Sequence, residues 1–236
     1  MAKLILLISL VPTILAIVVR KFFCDRGLRS SGDAETSRTG RELATMLLEK
    51  AGLSEKVEVL VKRRPEVKVD PAKLILSKHL AEAKNVIALG EVALLCGHAL
   101  VAVKNPELLK WRQWAVKFTW AFPVFTLVIL VFAVVVAKIP AFWGITGTAA
   151  ALGLGSGMAL ASLQIEIQAA RMMATIVDES RIFPRLKESE AVALACKSLA
   201  YRQAVPGALE WLMGKDMEKK IAKEVGRRVA GKVLRR

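Results

Sequence analysis

The stretch Gly90-Glu91-Val92-Ala93-Leu94-Leu95-Cys96-Gly97-His98-Ala99-Leu100 carries one of the chain's 2 histidines in surroundings that are otherwise almost wholly apolar. It lies at the centre of a longer Ala-, Leu- and Val-rich pattern, Leu80 to Val103, which reads as one helix with apolar residues nearly all the way round. Such a helix must be covered on most of its sides, so a folded body is expected around it. Upstream, Val57-Glu58-Val59-Leu60-Val61, the basic turn Lys62-Arg63-Arg64-Pro65, and the short runs Val67 to Val69 and Leu74 to Leu76 predict a small antiparallel sheet. Further upstream, Thr39-Gly40-Arg41-Glu42 has capping-box spacing, which predicts a helix running to Lys50 and stopped by Gly52. Leu43, Met46, Leu47 and Ala51 then share its buried face.

Outside this body the chain turns strongly apolar. Leu4 to Val19 is an uncharged run followed at once by Arg20, Lys21, Arg26 and Arg29, with no small-x-small cleavage site. That pattern favours an uncleaved anchor whose N-terminus lies outside, a cleaved signal being the competing reading. Phe118 to Ala137 and Ile139 to Ile165 are also uncharged, and each is long enough to cross ~30 Å of hydrocarbon. Only Lys138 and Pro140 mark the turn between them, so they form a hairpin facing away from the cytoplasm, leaving residues 20–117 and 166–236 inside. Trp111, Trp114, Trp120 and Trp143 stand where an interfacial aromatic belt belongs. Gly153 and Gly157 form a small-xxx-small pair expected to pack on the second span.

Composition agrees with this division. A hydrophobic content of 54% beside a net charge of +15 suits apolar spans flanked by basic segments better than a water-soluble globule. Cys24, Cys96 and Cys196 are odd in number and far apart, which excludes a disulfide framework and a zinc ribbon and predicts reduced, buried thiols. Gly153-Leu154-Gly155-Ser156-Gly157 lies inside an apolar span, so it reads as packing and not as a phosphate loop. Two histidines cannot furnish a confident Ser-His-Asp set, and His79 reads as an exposed residue near a helix start.

Several stretches in this order resemble a known family. Thr39-Gly40-Arg41-Glu42-Leu43-Ala44, Val69-Asp70-Pro71, Leu74-Ile75-Leu76-Ser77, the Gly97-His98-Ala99 of the apolar helix and Leu163-Gln164-Ile165-Glu166-Ile167-Gln168-Ala169-Ala170-Arg171 are similar to segments of the neutral zinc metallopeptidases of bacterial membranes. Ile176-Val177-Asp178-Glu179-Ser180 and the Ala-rich segment from Glu190 resemble that family's C-terminal part, and the similarity covers roughly residues 38 to 213. The resemblance implies an α+β membrane protein, mainly helical, with three transmembrane helices and a small zincin-like helix and sheet domain in the cytoplasm. With the apolar runs it divides the chain into an anchor (1–20), a zincin-like domain (21–117), a transmembrane hairpin (118–165) and a helical cytoplasmic domain (166–213), and a basic C-terminal helix (214–236) lies beyond the family's usual end.

The family's zinc chemistry needs two histidines at i and i+4, a glutamate beside the first as general base, and a third protein ligand. The resemblance places His98 at the second histidine and Glu166 at the third ligand, with Gly97 retained beside them. Leu94 stands where the first histidine belongs and Leu95 where the base belongs. Leucine offers no donor to a metal and takes no proton from water, so the expectation is a non-catalytic member with no cofactor. Gln168 replaces the aspartate two residues after the third ligand, weakening support for that position. Glu91 lies two helical turns before His98, too far along the axis to share an ion with it, and Cys96 points to another face. A carboxylate at Glu166 needs a partner, and His98 is the one expected to contact it in place of zinc.

Two readings of function follow. The first is a scaffold, regulator or subunit of a membrane complex, beside an active homologue or another membrane protein, with a homo-oligomer as a further form and no nucleic acid as partner. The second is an active endopeptidase with an atypical site in which His98 and Glu166 hold zinc. Both place the protein in the bacterial cytoplasmic membrane. The C-terminal segment 215–236 carries 9 basic and 3 acidic residues with Ile221, Val225, Val229 and Val233 at four-residue spacing. It reads as an amphipathic helix whose Lys219, Lys220, Lys223, Arg227, Arg228 and Lys232 face an anionic leaflet, with RNA or a partner protein as the alternative contact.

Overall fold

A computed structural model describes residues 2–209 except 33, 70, 71 and 181, with side chains from residue 6 onward. The basic C-terminal helix expected over 214–236 lies outside the described residues, as do Asp70 and Pro71 of the Val69-Asp70-Pro71 turn. Eight α-helices carry most of the fold: α1 (Ala2–Val19), α2 (Arg26–Ser31), α3 (Gly40–Lys50), α4 (Lys78–Glu82), α5 (Val86–Lys104), α6 (Pro106–Val135), α7 (Ala141–Glu179) and α8 (Leu186–Ala200). Three strands, β1 (Glu58–Lys62), β2 (Glu66–Lys68) and β3 (Lys73–Ser77), lie between α3 and α4.

The capping box forms as its spacing predicts. The Thr39 amide donates to Glu42 Oε2 at 3.1 Å, while the Glu42 amide donates to the Thr39 hydroxyl at 3.4 Å. Thr39→Ala is expected to lower stability by about 1 kcal/mol, with Thr39→Ser close to neutral, as read from unfolding midpoints. Leu43, Leu47 and Leu48 of α3 are buried in the core, where α3 packs chiefly on α5 and also meets α4 and α7.

The sheet departs from the all-antiparallel expectation. Its order is β1-β3-β2, with β1 parallel to β3 and β2 antiparallel to it. Leu74, Ile75 and Leu76 make β3 the most apolar strand, and all three are buried. The central position suits it, while the more exposed strands β1 and β2, each bounded by charged residues, take the edges; a simple meander would have left β3 at an edge.

The apolar helix is also interrupted. Ala83 to Asn85 break it into α4 and α5, and the Asn85 side chain caps α5 by accepting from the Ala88 amide at 2.7 Å. The break leaves carbonyls free for other work: Ala83 accepts from the Gly40 amide and Lys84 from the Thr36 amide and hydroxyl. These bonds tie the start of α3 to the start of α5. His79, in α4, is exposed as expected.

Among the described residues, four helices are long and apolar enough to cross a membrane: Leu6–Ser31, Val86–Lys104, Pro106–Val135 and Ala141–Glu179. The most apolar window of α5 is 78% buried within the protein, against 11% for the N-terminal helix and for α6. The exposed kind presents an apolar surface compatible with lipid: Phe125, Phe132 and Val135 of α6 are about two-thirds exposed or more. The N-terminal helix continues past residue 20 through a π-helical turn, Arg20–Asp25, into α2. α7 runs unbroken from Ala141 to Glu179, through residue 165.

Helix contacts in the apolar part differ in one respect from expectation. Gly153 packs on the backbone of Ser9 in α1, whereas a side chain at Gly157 would meet nothing within 4 Å. It is Gly144 and Gly147 that admit Val134 and Leu130 of α6. The Ser156 hydroxyl donates to Thr13 Oγ1 at 3.2 Å, adding a polar tie between α1 and α7. None of the three cysteines is in a disulfide and all are buried, and burial pushes the Cys196 thiol up to about 12, so it packs as an unreactive core residue.

Candidate functional site: a buried carboxylate shared by three helices

α5, α6 and α7 converge on Glu166, which has no solvent exposure. Its position follows from the continuity of α7, which carries the residue from the apolar part of the fold into the core formed with α5 and α8. His98 of α5 places Nε2 at 2.7 Å from Glu166 Oε2 and is itself 3% exposed. Arg112 of α6 donates from Nε to Glu166 Oε1 at 2.5 Å, its side chain 16% exposed. A carboxylate only accepts and a guanidinium only donates, so Nε2 of His98 carries the hydrogen in its bond to Glu166.

The His98 to Glu166 contact is the one expected from the sequence. Arg112 is not: the sequence marks its neighbours Trp111 and Trp114 as belt residues and gives the arginine between them no role. Charge balance was the signal that could have found it. A neutral imidazole satisfies one oxygen of a buried carboxylate but cannot neutralise it, so a cation had to be sought on the neighbouring helix.

Gly97 has a geometric role. A Cβ there would lie 2.5 Å from the Ala169 carbonyl oxygen and 2.9 Å from its carbon, so α5 and α7 touch backbone to backbone at this point. That approach lies one residue from His98 and three from Glu166, and it sets the span that their hydrogen bond closes. Leu94, one turn before His98 on the same face, is buried, and Leu95 is half-buried. Gln168 is exposed.

A family model described as "Putative neutral zinc metallopeptidase" matches residues 3–213. The chain belongs to this family. No curated protein and no solved structure matches it significantly.

Membership implies zinc, and the donor set can be tested against it. Zinc takes three or four nitrogen, sulfur or oxygen donors from the protein. Where the family's ion would sit, this chain brings His98 and Glu166, bonded to each other, and among the described residues no group of three or more His, Cys, Asp and Glu side chains is close enough to hold a metal. The arginine bonded to Glu166 also puts a permanent positive charge against the one anionic donor. These residues do not fit a zinc ion. What they form is an ion pair and a hydrogen bond that lock three helices together.

Proposed function

We propose that this protein is a membrane-anchored, non-catalytic member of its family, acting as a scaffold, regulator or subunit of a membrane complex. The observation that carries this reading is the Arg112 guanidinium on Glu166, which supplies at short range the positive charge a metal would bring. Leu94 and Leu95 support it, since neither can bind zinc or act as a base. In this reading the N-terminal helix, α6 and α7 cross the bacterial cytoplasmic membrane with the N-terminus outside, and α5 belongs to the core of the cytoplasmic body. The basic tail with Lys219, Lys220, Lys223, Arg227, Arg228 and Lys232 lies on the inner leaflet. The partner is another membrane protein, an active homologue or a second copy of the chain, and no cofactor is needed.

Family membership itself favours a second reading, an endopeptidase with an atypical metal site. Metal analysis of the protein purified without chelator, together with a casein hydrolysis assay, separates the two. The first reading expects far less than one zinc per chain and hydrolysis at the buffer rate. Stoichiometric zinc that disappears in His98→Ala, with hydrolysis lost in parallel, would overturn it.

A further inference from the structure

The turn between β1 and β2 concentrates positive charge on one side of the sheet. A cleft of about 910 Å³ is lined by Arg41, Lys62, Arg63 and Lys78 with Thr39 and Glu82. A second, of about 500 Å³, is lined by Lys62, Arg63, Arg64 and Lys68 with Glu66. Lys62 and Arg63 belong to both, so the two clefts are continuous across the turn. All six cations are exposed, and none makes an ion pair with a described residue. Six cations against two acids, without ion-pair partners among the described residues, leave a surface complementary to anions.

The position of this surface is set by α6. The Gln113 side-chain amide donates to the Val67 carbonyl of β2 at 2.8 Å, fastening the strand to the helix. Gln113 precedes the apolar run that opens at Phe118 by five residues, or about 7 Å of helix at ~1.5 Å per residue. A bilayer's polar layers add roughly 5–7 Å on each side of its hydrocarbon, so Gln113 and the strand bonded to it sit at headgroup depth. Trp111 and Trp114, on either side of Gln113, are exposed, as interfacial anchors are.

We propose that the β1–β2 turn and the two clefts beside it bind the phosphate-bearing headgroups of anionic lipids in the leaflet that α6 enters. This goes beyond the scaffold reading and rests on α6 crossing a membrane. Lys68 adjoins the strand residue held by Gln113, and the Lys and Arg side chains of the turn extend the contact across the sheet edge. Val61, an exposed apolar residue lining the larger cleft among its cations, adds a contact for the glycerol and upper acyl region. The surface would fix the tilt of the cytoplasmic body on the membrane, independently of the C-terminal tail.

The test uses the full-length protein in neutral detergent and native mass spectrometry with phosphatidylglycerol or phosphatidylcholine as probe. To remove the tail's contribution, Lys219, Lys220, Lys223, Arg227, Arg228 and Lys232 are all changed to Gln in the background protein. In that background phosphatidylglycerol is expected to be retained about tenfold better than phosphatidylcholine. Adding Lys62→Gln, Arg63→Gln, Arg64→Gln and Lys68→Gln should abolish the preference without moving the thermal midpoint, since all four side chains are exposed. As a measurement on unmutated turn residues, raising the salt about tenfold should also erase it. Equal retention of the two lipids, or a preference that survives the four substitutions, overturns the proposal. So does displacement of phosphatidylglycerol by a single-stranded RNA at lower concentration than by free lipid headgroup, which would assign the surface to nucleic acid. A chain that purifies from the soluble fraction without detergent would instead refute the membrane reading on which the proposal rests.

Discussion

Arg112→Ala is expected to lower the midpoint of thermal unfolding in detergent by roughly 10 °C. Removing one partner of a buried ion pair leaves an uncompensated charge, at a cost of about 3–5 kcal/mol. For a chain of this length each kcal/mol moves the midpoint by ~2–4 °C. Arg112 retains some exposure, so the lower end of the cost applies. Arg112→Lys keeps a charge but not the guanidinium geometry, and it should recover part of the loss. Combining Arg112→Ala with Glu166→Gln should be milder than Arg112→Ala alone, because the buried anion is gone. A midpoint for Arg112→Ala equal to that of the wild type would mean that the pair does not hold the three helices together.

Gly97→Ala should be nearly as damaging, for a steric reason. The added methyl would lie 2.5 Å from the Ala169 carbonyl oxygen and 3.1 Å from the Ala169 Cβ. The nearest atoms are backbone, which cannot swing away as a side-chain end would, so α5 and α7 must separate. Overpacking of this kind costs about 1–3 kcal/mol, and here it also stretches the bond between His98 and Glu166. Gly157→Ala supplies the contrast: it meets nothing within 4 Å and lies inside α7, where alanine is favoured over glycine by ~1 kcal/mol. The two substitutions are therefore expected to shift the unfolding midpoint in opposite directions. If both shift it the same way, the close approach at Gly97 is not what positions α5 against α7.

Much of the fold was legible where the information is local. The capping box at Thr39 starts α3 because its two partners lie three residues apart in the chain. The long uncharged runs locate the N-terminal helix, α6 and α7, although α6 begins before its run and α7 continues beyond its own, where charged residues are no bar to a helix. The break at Ala83 to Asn85 was less legible. Asn85 is a good cap, but in an Ala-rich segment continuing the helix costs little by propensity, and bonds from Thr36 and Gly40 decide against it. The strand order likewise depends on burying β3 between its neighbours, which no adjacent pair of strands reveals.

At the candidate site, Leu94, Leu95, Gly97, His98 and Glu166 could all be located from the chain alone, because family resemblance assigns positions one residue at a time. So could the need for a partner to Glu166, since an isolated buried carboxylate is costly in any fold. Which cation answers that need could not be read in the same way. Arg112 lies 54 residues from Glu166 and 14 from His98, at the start of an apolar helix where a flanking charge has an ordinary explanation. Its role comes from the packing of α6 beside α5 and α7, which turns a charge near the start of α6 inward onto a buried oxygen. Local chemistry named His98 as a partner for Glu166; only the meeting of three helices showed that Arg112 also stands against it, because ion pairing depends on distance in space and not on distance along the chain.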